Sequence, residues 1–331
     1  MKKYFITSLF FFVSALSIRA CDSCGCEFCE PGSALFTSIF GSEVSPPEAY
    51  FFVRMAEQYT DFSTFQVDGK KTADPFNQYE YSSITQVMIG YQFSSNFDVT
   101  ISLPFIFRSY QIPDITSTST VHGHVNGLGD MTVVANYVLL RKEQPDWGFS
   151  WRVSAGVKLP TGDPNLLDQE DPAAAPSELN NPASAVGGHD LALGSGSYDG
   201  IVGTGLNVHW GRGFVTADVD YAIRGTGHDG YRYANEFSWS GGPGYRVWES
   251  ADYTASLQLL ASGEYKTADT IQNTVTDDTS MTSLMLGPKV VLASSKGVTA
   301  NLGVDLPIIQ HSTGAQMVPT YRIKAGLTYR F

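Results

Sequence analysis

At 331 residues, with 43% hydrophobic and 16% charged side chains, the chain has ample apolar content for burial and is not a disordered polymer. Past the extreme N-terminus no run reaches the roughly 18 apolar residues of a spanning helix, which excludes a helical membrane protein. The formal charge of −12 excludes a nucleic-acid binder held by bulk charge.

Residues 1–20 read as a secretory signal peptide. Met1-Lys2-Lys3 is a charged start, and Tyr4 to Leu16 is apolar but too short to span. Arg19 beside the expected cleavage point is the misfit. Cleavage after Ala20 removes Lys2, Lys3 and Arg19 and no acid, so the mature charge becomes 18 − 33 = −15. The expected route is Sec-type export.

A Cys-rich segment follows, residues 21–47, expected in the periplasm or tucked into the fold as a plug. All four cysteines, Cys21, Cys24, Cys26 and Cys29, fall within it, spaced C-x2-C-x-C-x2-C. Two disulfides rank first in an oxidising compartment. Four close thiolates could also hold zinc or copper(I), and Cys21 could be lipidated as the mature first residue. Covalent haem has no C-x-x-C-H to attach to, and no other cofactor is expected.

From residue 48 to 331 the chain alternates apolar and polar side chains over ten to fifteen residues and then breaks at Gly, Asp, Asn or Ser. Val99, Ile101, Leu103, Phe105 and Phe107 mark one such run, and Tyr321, Ile323, Ala325, Leu327, Tyr329 and Phe331 mark the last. Twelve strands result: 48–62, 79–93, 98–112, 129–140, 148–161, 197–210, 214–225, 233–247, 252–266, 280–293, 297–309 and 316–331. Soluble sandwiches use shorter strands, whereas ten or more residues suit a tilted crossing of a bilayer. Connections alternate between short turns and long loops, the longest 162–196. The expected fold class is all-β: a transmembrane antiparallel up-and-down β-barrel of twelve strands in the outer membrane of a Gram-negative bacterium, facing outer-membrane lipid. Trp147, Trp151, Trp210 and Trp248 fall at the short-turn ends. Tyr59, Tyr79, Tyr110, Tyr231 and Tyr265 fall near the long-loop ends, as two interfacial belts require. Terminal Phe331 is the expected handle for the outer-membrane assembly machinery.

With the apolar faces toward lipid, the other faces line the interior. The pore-lining candidates are Arg54, Arg108, Arg152, Lys158, Arg224, Glu236, Arg246, Asp305, Arg322 and Lys324. Counting every interior charge gives 11 basic against 7 acidic residues, 11 − 7 = +4, which predicts a preference for anionic or polar solutes unless the charges pair across the barrel. Glu57 sits on the lipid parity, either above the hydrocarbon or beside a bulge. Loop 162–196 carries Asp163, Asp168, Glu170, Asp171, Glu178 and Asp190 among Ala, Pro and Asn, which favours a solvated flap over an inward constriction. Its carboxylates could hold a hard cation, though no calcium-loop spacing is present. His122 and His124 read as loop polarity rather than a metal pair, and His189, His209, His228 and His311 are scattered.

Three glycine-bearing stretches flank this loop: Gly127-Leu128-Gly129-Asp130-Met131, Gly156 through Asp163, and Leu193-Gly194-Ser195-Gly196-Ser197-Tyr198-Asp199. The set resembles the outer-membrane barrel family named after the meta-pathway of phenol degradation. That resemblance implies a transporter-type barrel and supplies no catalytic residues. The sequence therefore leads to a channel or transporter for small solutes, hydrophobic or anionic. The runner-up is a metal-handling or structural barrel serving its Cys segment. A barrel-embedded enzyme has no nucleophile motif behind it.

Overall fold

A computed structural model describes residues 49–171, 177–276 and 278–331. The signal peptide and the Cys cluster, with its disulfide, metal and lipid readings, lie outside the described residues.

Twelve wall strands follow one another in chain order: β1 (Tyr50–Phe62), β2 (Tyr79–Ser94), β3 (Phe97–Pro113), β4 (Met131–Gln144), β5 (Trp147–Leu159), β6 (Asp199–Trp210), β7 (Gly213–Ile223), β8 (Glu236–Glu249), β9 (Tyr253–Lys266), β10 (Met281–Ser294), β11 (Val298–Ser312) and β12 (Tyr321–Arg330). Each pairs antiparallel with the next, and β1 closes on β12 from Phe52 opposite Arg330 to Asp61 opposite Tyr321. Closure gives every wall strand a neighbour on both sides, which is what a hydrocarbon surrounding demands of backbone polar groups. The short turns gather at one end with the start of β1 and the end of β12, where Phe331 N–H donates to the Phe51 carbonyl at 2.9 Å. The long connections gather at the other.

The alternation in the sequence becomes an inside and an outside. Met55, Ile89, Phe105, Leu206, Leu257, Leu302 and Leu327 are exposed on the outer face, while Arg54, Gln86, Arg108, Ser256, Lys289 and Arg322 are buried within. One break in the alternation has a local cause: the register shifts between Val138 and Leu140, and the bulge sends both Leu139 and Leu140 outward. Glu57 has no such cause. Pairing runs unbroken past it on both sides, so it stands on the outer face with its carboxylate accepting from Ser83 and Thr85, each at 2.5 Å.

Three expectations change. Residues 120–128 form a strand, Thr120–Leu128, paired with the upper half of β3 from Phe105 to Pro113, while β4 takes the lower half. The expected strand 316–331 is two, Ala315–Val318 and β12, because Pro319 lacks the N–H to continue the ladder. Of the long-loop tyrosines, Tyr59 and Tyr79 stack with Tyr81 on the outer face, but Tyr231 is 1% exposed and Tyr110 packs inward, so neither belongs to a belt.

Candidate functional site: the filled mouth and the paired lumen

Segment 162–196, in its described residues, does not form a flap. It folds inward across the long-loop end, with Leu167, Val186, Leu191 and Ala192 buried among wall and loop residues. Two apolar clusters hold it. One joins Ala185, Val186 and Leu191 to Phe62, Ile112 and Met317. The other joins Leu167 and Ala192 to Tyr231, Tyr233 and Ile271. The acidic composition that suggested a flap is partly turned inward, with Glu170 and Asp190 against buried His189, while Leu167, Val186 and Leu191 pack into the barrel.

The two stems of the segment cross where the glycine motifs meet. A Cβ on Gly162 would stand 2.5 Å from the Leu193 carbonyl oxygen, and one on Gly194 would stand 2.6 Å from the Gly162 carbonyl carbon. Only glycine lets the backbones approach this closely. Asp130 ties the crossing: it accepts from Gly162 N–H at 3.0 Å, from Ser195 N–H and Oγ–H at 2.9 Å each, and from Lys158 Nζ at 2.9 Å. Lys158 continues to Asp199 at 2.7 Å, Asp199 to Arg224 at 3.1 Å, and Arg224 to Glu236 at 2.5 Å. Residues on β5, β6 and β8, with Asp130 at the start of β4 and Arg224 at the end of β7, are thus linked by one buried chain of charge.

Further bonds reach the segment from other strands. Arg108 donates to the Ala192 carbonyl at 2.8 Å, Tyr233 to the His189 carbonyl at 2.9 Å, and Ala185 N–H to Gln78 at 2.8 Å. Inside the segment, His189 Nδ1 lies 3.0 Å from Glu170 and Nε2 lies 3.3 Å from Asp190, with Tyr231 stacked alongside. Burial pushes the imidazole pKa down, but Asp190 and Glu170 more than reverse this and hold it well above its ordinary 6.5. Glu170 moves the opposite way: burial raises it, and His189 outweighs burial to leave it lowered. Beside this pair is a cavity of about 270 Å³, lined in part by Asn181, Ser184, Asp190 and Gln316.

Below the mouth, the pore-lining candidates all sit on inward faces, and their charges meet in pairs. Arg108 faces Glu80 at 3.4 Å, Arg322 faces Glu264 at 3.0 Å, and Lys324 faces Asp305 at 3.0 Å. Arg152 pairs with Asp218, and Arg246 with Glu249 at 2.9 Å. Arg54 is 2% exposed and also engaged. The interior acids include three that the interior count left out: Asp98 and Asp130, at the starts of expected strands, and Asp269 in a connection, at 2%, 8% and 0% exposure. With them the sum becomes 11 − 10 = +1. A positive lumen is therefore a nearly neutral one, its cations answered locally. Parity alone found the cations and most of their partners; Asp130 beside Lys158, Asp269 beside Lys266 and Glu249 beside Arg246 required the fold.

No family profile and no curated sequence matches the chain. Solved structures do. The COG4313 outer membrane channel from Pseudomonas putida F1 superposes over 88% of this chain and 98% of its own, with a TM-score of 0.61 at 14% identity. The β domain of the Bordetella autotransporter BrkA covers 86% of this chain and 100% of its own at a TM-score of 0.43 and 12% identity. The CymD monoaromatic hydrocarbon channel covers 90% of each at 0.36 and 10%. The chain has the fold of an outer-membrane β-barrel.

Proposed function

We propose that the protein is an outer-membrane channel for small, uncharged or hydrophobic solutes, with segment 162–196 as its constriction. The observation that carries this reading is the inward segment itself: a closed wall whose long-loop end is filled by a polypeptide held through side chains rather than by the barrel ladder. An apolar and aromatic cap would receive a hydrophobic solute, and a lumen at +1 gives an anion little advantage over a neutral molecule. The Pseudomonas putida barrel of like fold is described as a channel, and the glycine motifs fit the phenol meta-pathway resemblance. Sec-type export into a Gram-negative outer membrane and assembly through Phe331 complete the proposal.

An enzymatic reading gains nothing from the Ser195–Lys158 contact of 2.7 Å. The ammonium already donates to Asp130 and Asp199 as well as Ser195, which uses its three donors and leaves no lone pair to take the Ser195 proton.

Planar-bilayer recordings test the channel. The whole protein should show small conductance with a reversal potential near zero in a KCl gradient, and deleting residues 165–191 should raise conductance several-fold. A silent deletion variant would overturn the constriction, and strong anion selectivity would overturn the neutral lumen.

A further inference from the structure

Asp168, His228 and Asp229 meet at the mouth, outside both the stem crossing and the His189 pair. Asp168 belongs to a short 3-10 helix of the inward segment (Asn165–Glu170), and the other two to the turn His228–Gly230 between β7 and β8. One ligand atom from each lies within 4.8 Å of the others. Asp168 Oδ1 is 2.8 Å from His228 Nε2, and that nitrogen is 3.9 Å from Asp229 Oδ2.

The 2.8 Å contact is not an aligned hydrogen bond. Asp168 Oδ1 is sealed from solvent and has no hydrogen-bond partner. The Asp168 side chain is 47% exposed, so its other oxygen meets water while Oδ1 alone is turned into the cluster. A cation between the three groups would satisfy it. Around zinc, bonds of about 2.0–2.2 Å set neighbouring donor atoms about 3–3.5 Å apart, and 2.8 and 3.9 Å bracket that spacing.

We propose that Asp168, His228 and Asp229 bind a first-row divalent metal of the zinc type, joining the inward segment to the β7–β8 connection. The imidazole nitrogen selects zinc, nickel or copper over calcium and magnesium, which prefer all-oxygen sites. Three protein ligands leave a position for water, and the partial exposure of His228 and both carboxylates gives an ion a way in. Both sides are held before an ion arrives. His228 N–H donates to the Ser195 carbonyl at 3.2 Å, and Leu167, beside Asp168, is 1% exposed. Bound metal would add a clasp to the constriction, so the same site offers the exterior a means of closing the pore.

The test is zinc titration of the full-length folded protein in detergent, with its cysteines carboxamidomethylated so that Cys21–Cys29 cannot contribute. Competition with a fluorescent chelator should show one Zn²⁺ per chain. His228→Ala and Asp168→Asn should each weaken it by about tenfold or more, while His311→Ala should leave it unchanged. His228→Gln serves as the second variant, and gel mobility before and after heating verifies that each barrel is folded. Zinc should also lower conductance in the alkylated wild type and not in His228→Ala. Failure of the alkylated protein to bind zinc would overturn the site. So would zinc affinity in His228→Ala equal to wild type, or equal affinity for Ca²⁺ that survives His228→Ala.

Discussion

The wall and the inward segment both place side chains inside the barrel, yet they are held by different forces. Wall strands are joined by backbone ladders that any alternating sequence with the right turns can make, and their outer side chains meet only lipid. Among its described residues, segment 162–196 has one short helix, Gly188–Leu191, and one 3-10 turn, and it stays in place through side chains that reach backbone groups: Asp130 to Gly162 and Ser195, Arg108 to Ala192, Gln78 to Ala185. The comparison teaches where substitution should matter. A wall residue on the outer face can change with little consequence, whereas a few residues anchor a whole segment.

The sharpest way to break that contrast is Lys158→Met. It leaves Asp130 and Asp199 facing each other inside the barrel, both nearly sealed, and removing one partner of a buried pair costs about 3–5 kcal/mol. Leu206→Ala, a larger loss of side chain but on the outer face, should cost much less. Urea unfolding in lipid vesicles compares the two. If they fall together, the side-chain network is not what holds the mouth.

A smaller effect is expected of Gly194→Val. Its Cβ would meet Gly162 at the crossing, and overpacking of this kind costs about 1–3 kcal/mol. The wall should survive, so heat-modified gel mobility is unchanged, while the segment is pushed outward and becomes open to added protease between residues 165 and 191. Protection equal to wild type would show that the crossing tolerates a side chain.

The same division explains how much could be read before the fold was known. Wall strands were legible because period-two alternation is a local property, and the predicted bounds of β2, β6, β9 and β10 lie within two residues of the observed ones. The 120–128 strand escaped because its inward positions are Val121, Gly123, Val125 and Gly127 and its outward ones His122, His124 and Asn126, so apolar contrast is missing. The inward segment escaped for a different reason. Its apolar residues are few and unevenly spaced, and what fixes them is Phe62, Ile112, Tyr231 and Met317, drawn from across the chain. The cations facing inward were legible by parity. Asp98, Asp130 and Asp269 were not, because at strand ends and loops parity no longer says which way a side chain points.

The subtlest test lies within the segment, at His189. Its pKa is raised in the fold, so its contribution is fully present below the ordinary value of 6.5 and is lost as pH rises through the higher folded value. Glu170 is lowered, so its contribution is present above 4.5 and is lost as pH falls through the folded value. The pair therefore holds the segment fully between about the ordinary carboxylate range and 6.5, weakens progressively above that, and is released from the histidine side in alkali. Tyr231, stacked on the ring, stays neutral across this window, since burial and then Asp269 push its phenol well above 10.0. Conductance of the wild type should be flat from about pH 5 to 6.5, then rise progressively into the alkaline range. His189→Gln, which cannot carry the charge, should be more open at pH 6 and show a smaller alkaline rise. An identical alkaline rise in His189→Gln would place the release elsewhere, and the wall, whose ladder carries no titrating group, would remain closed in either case.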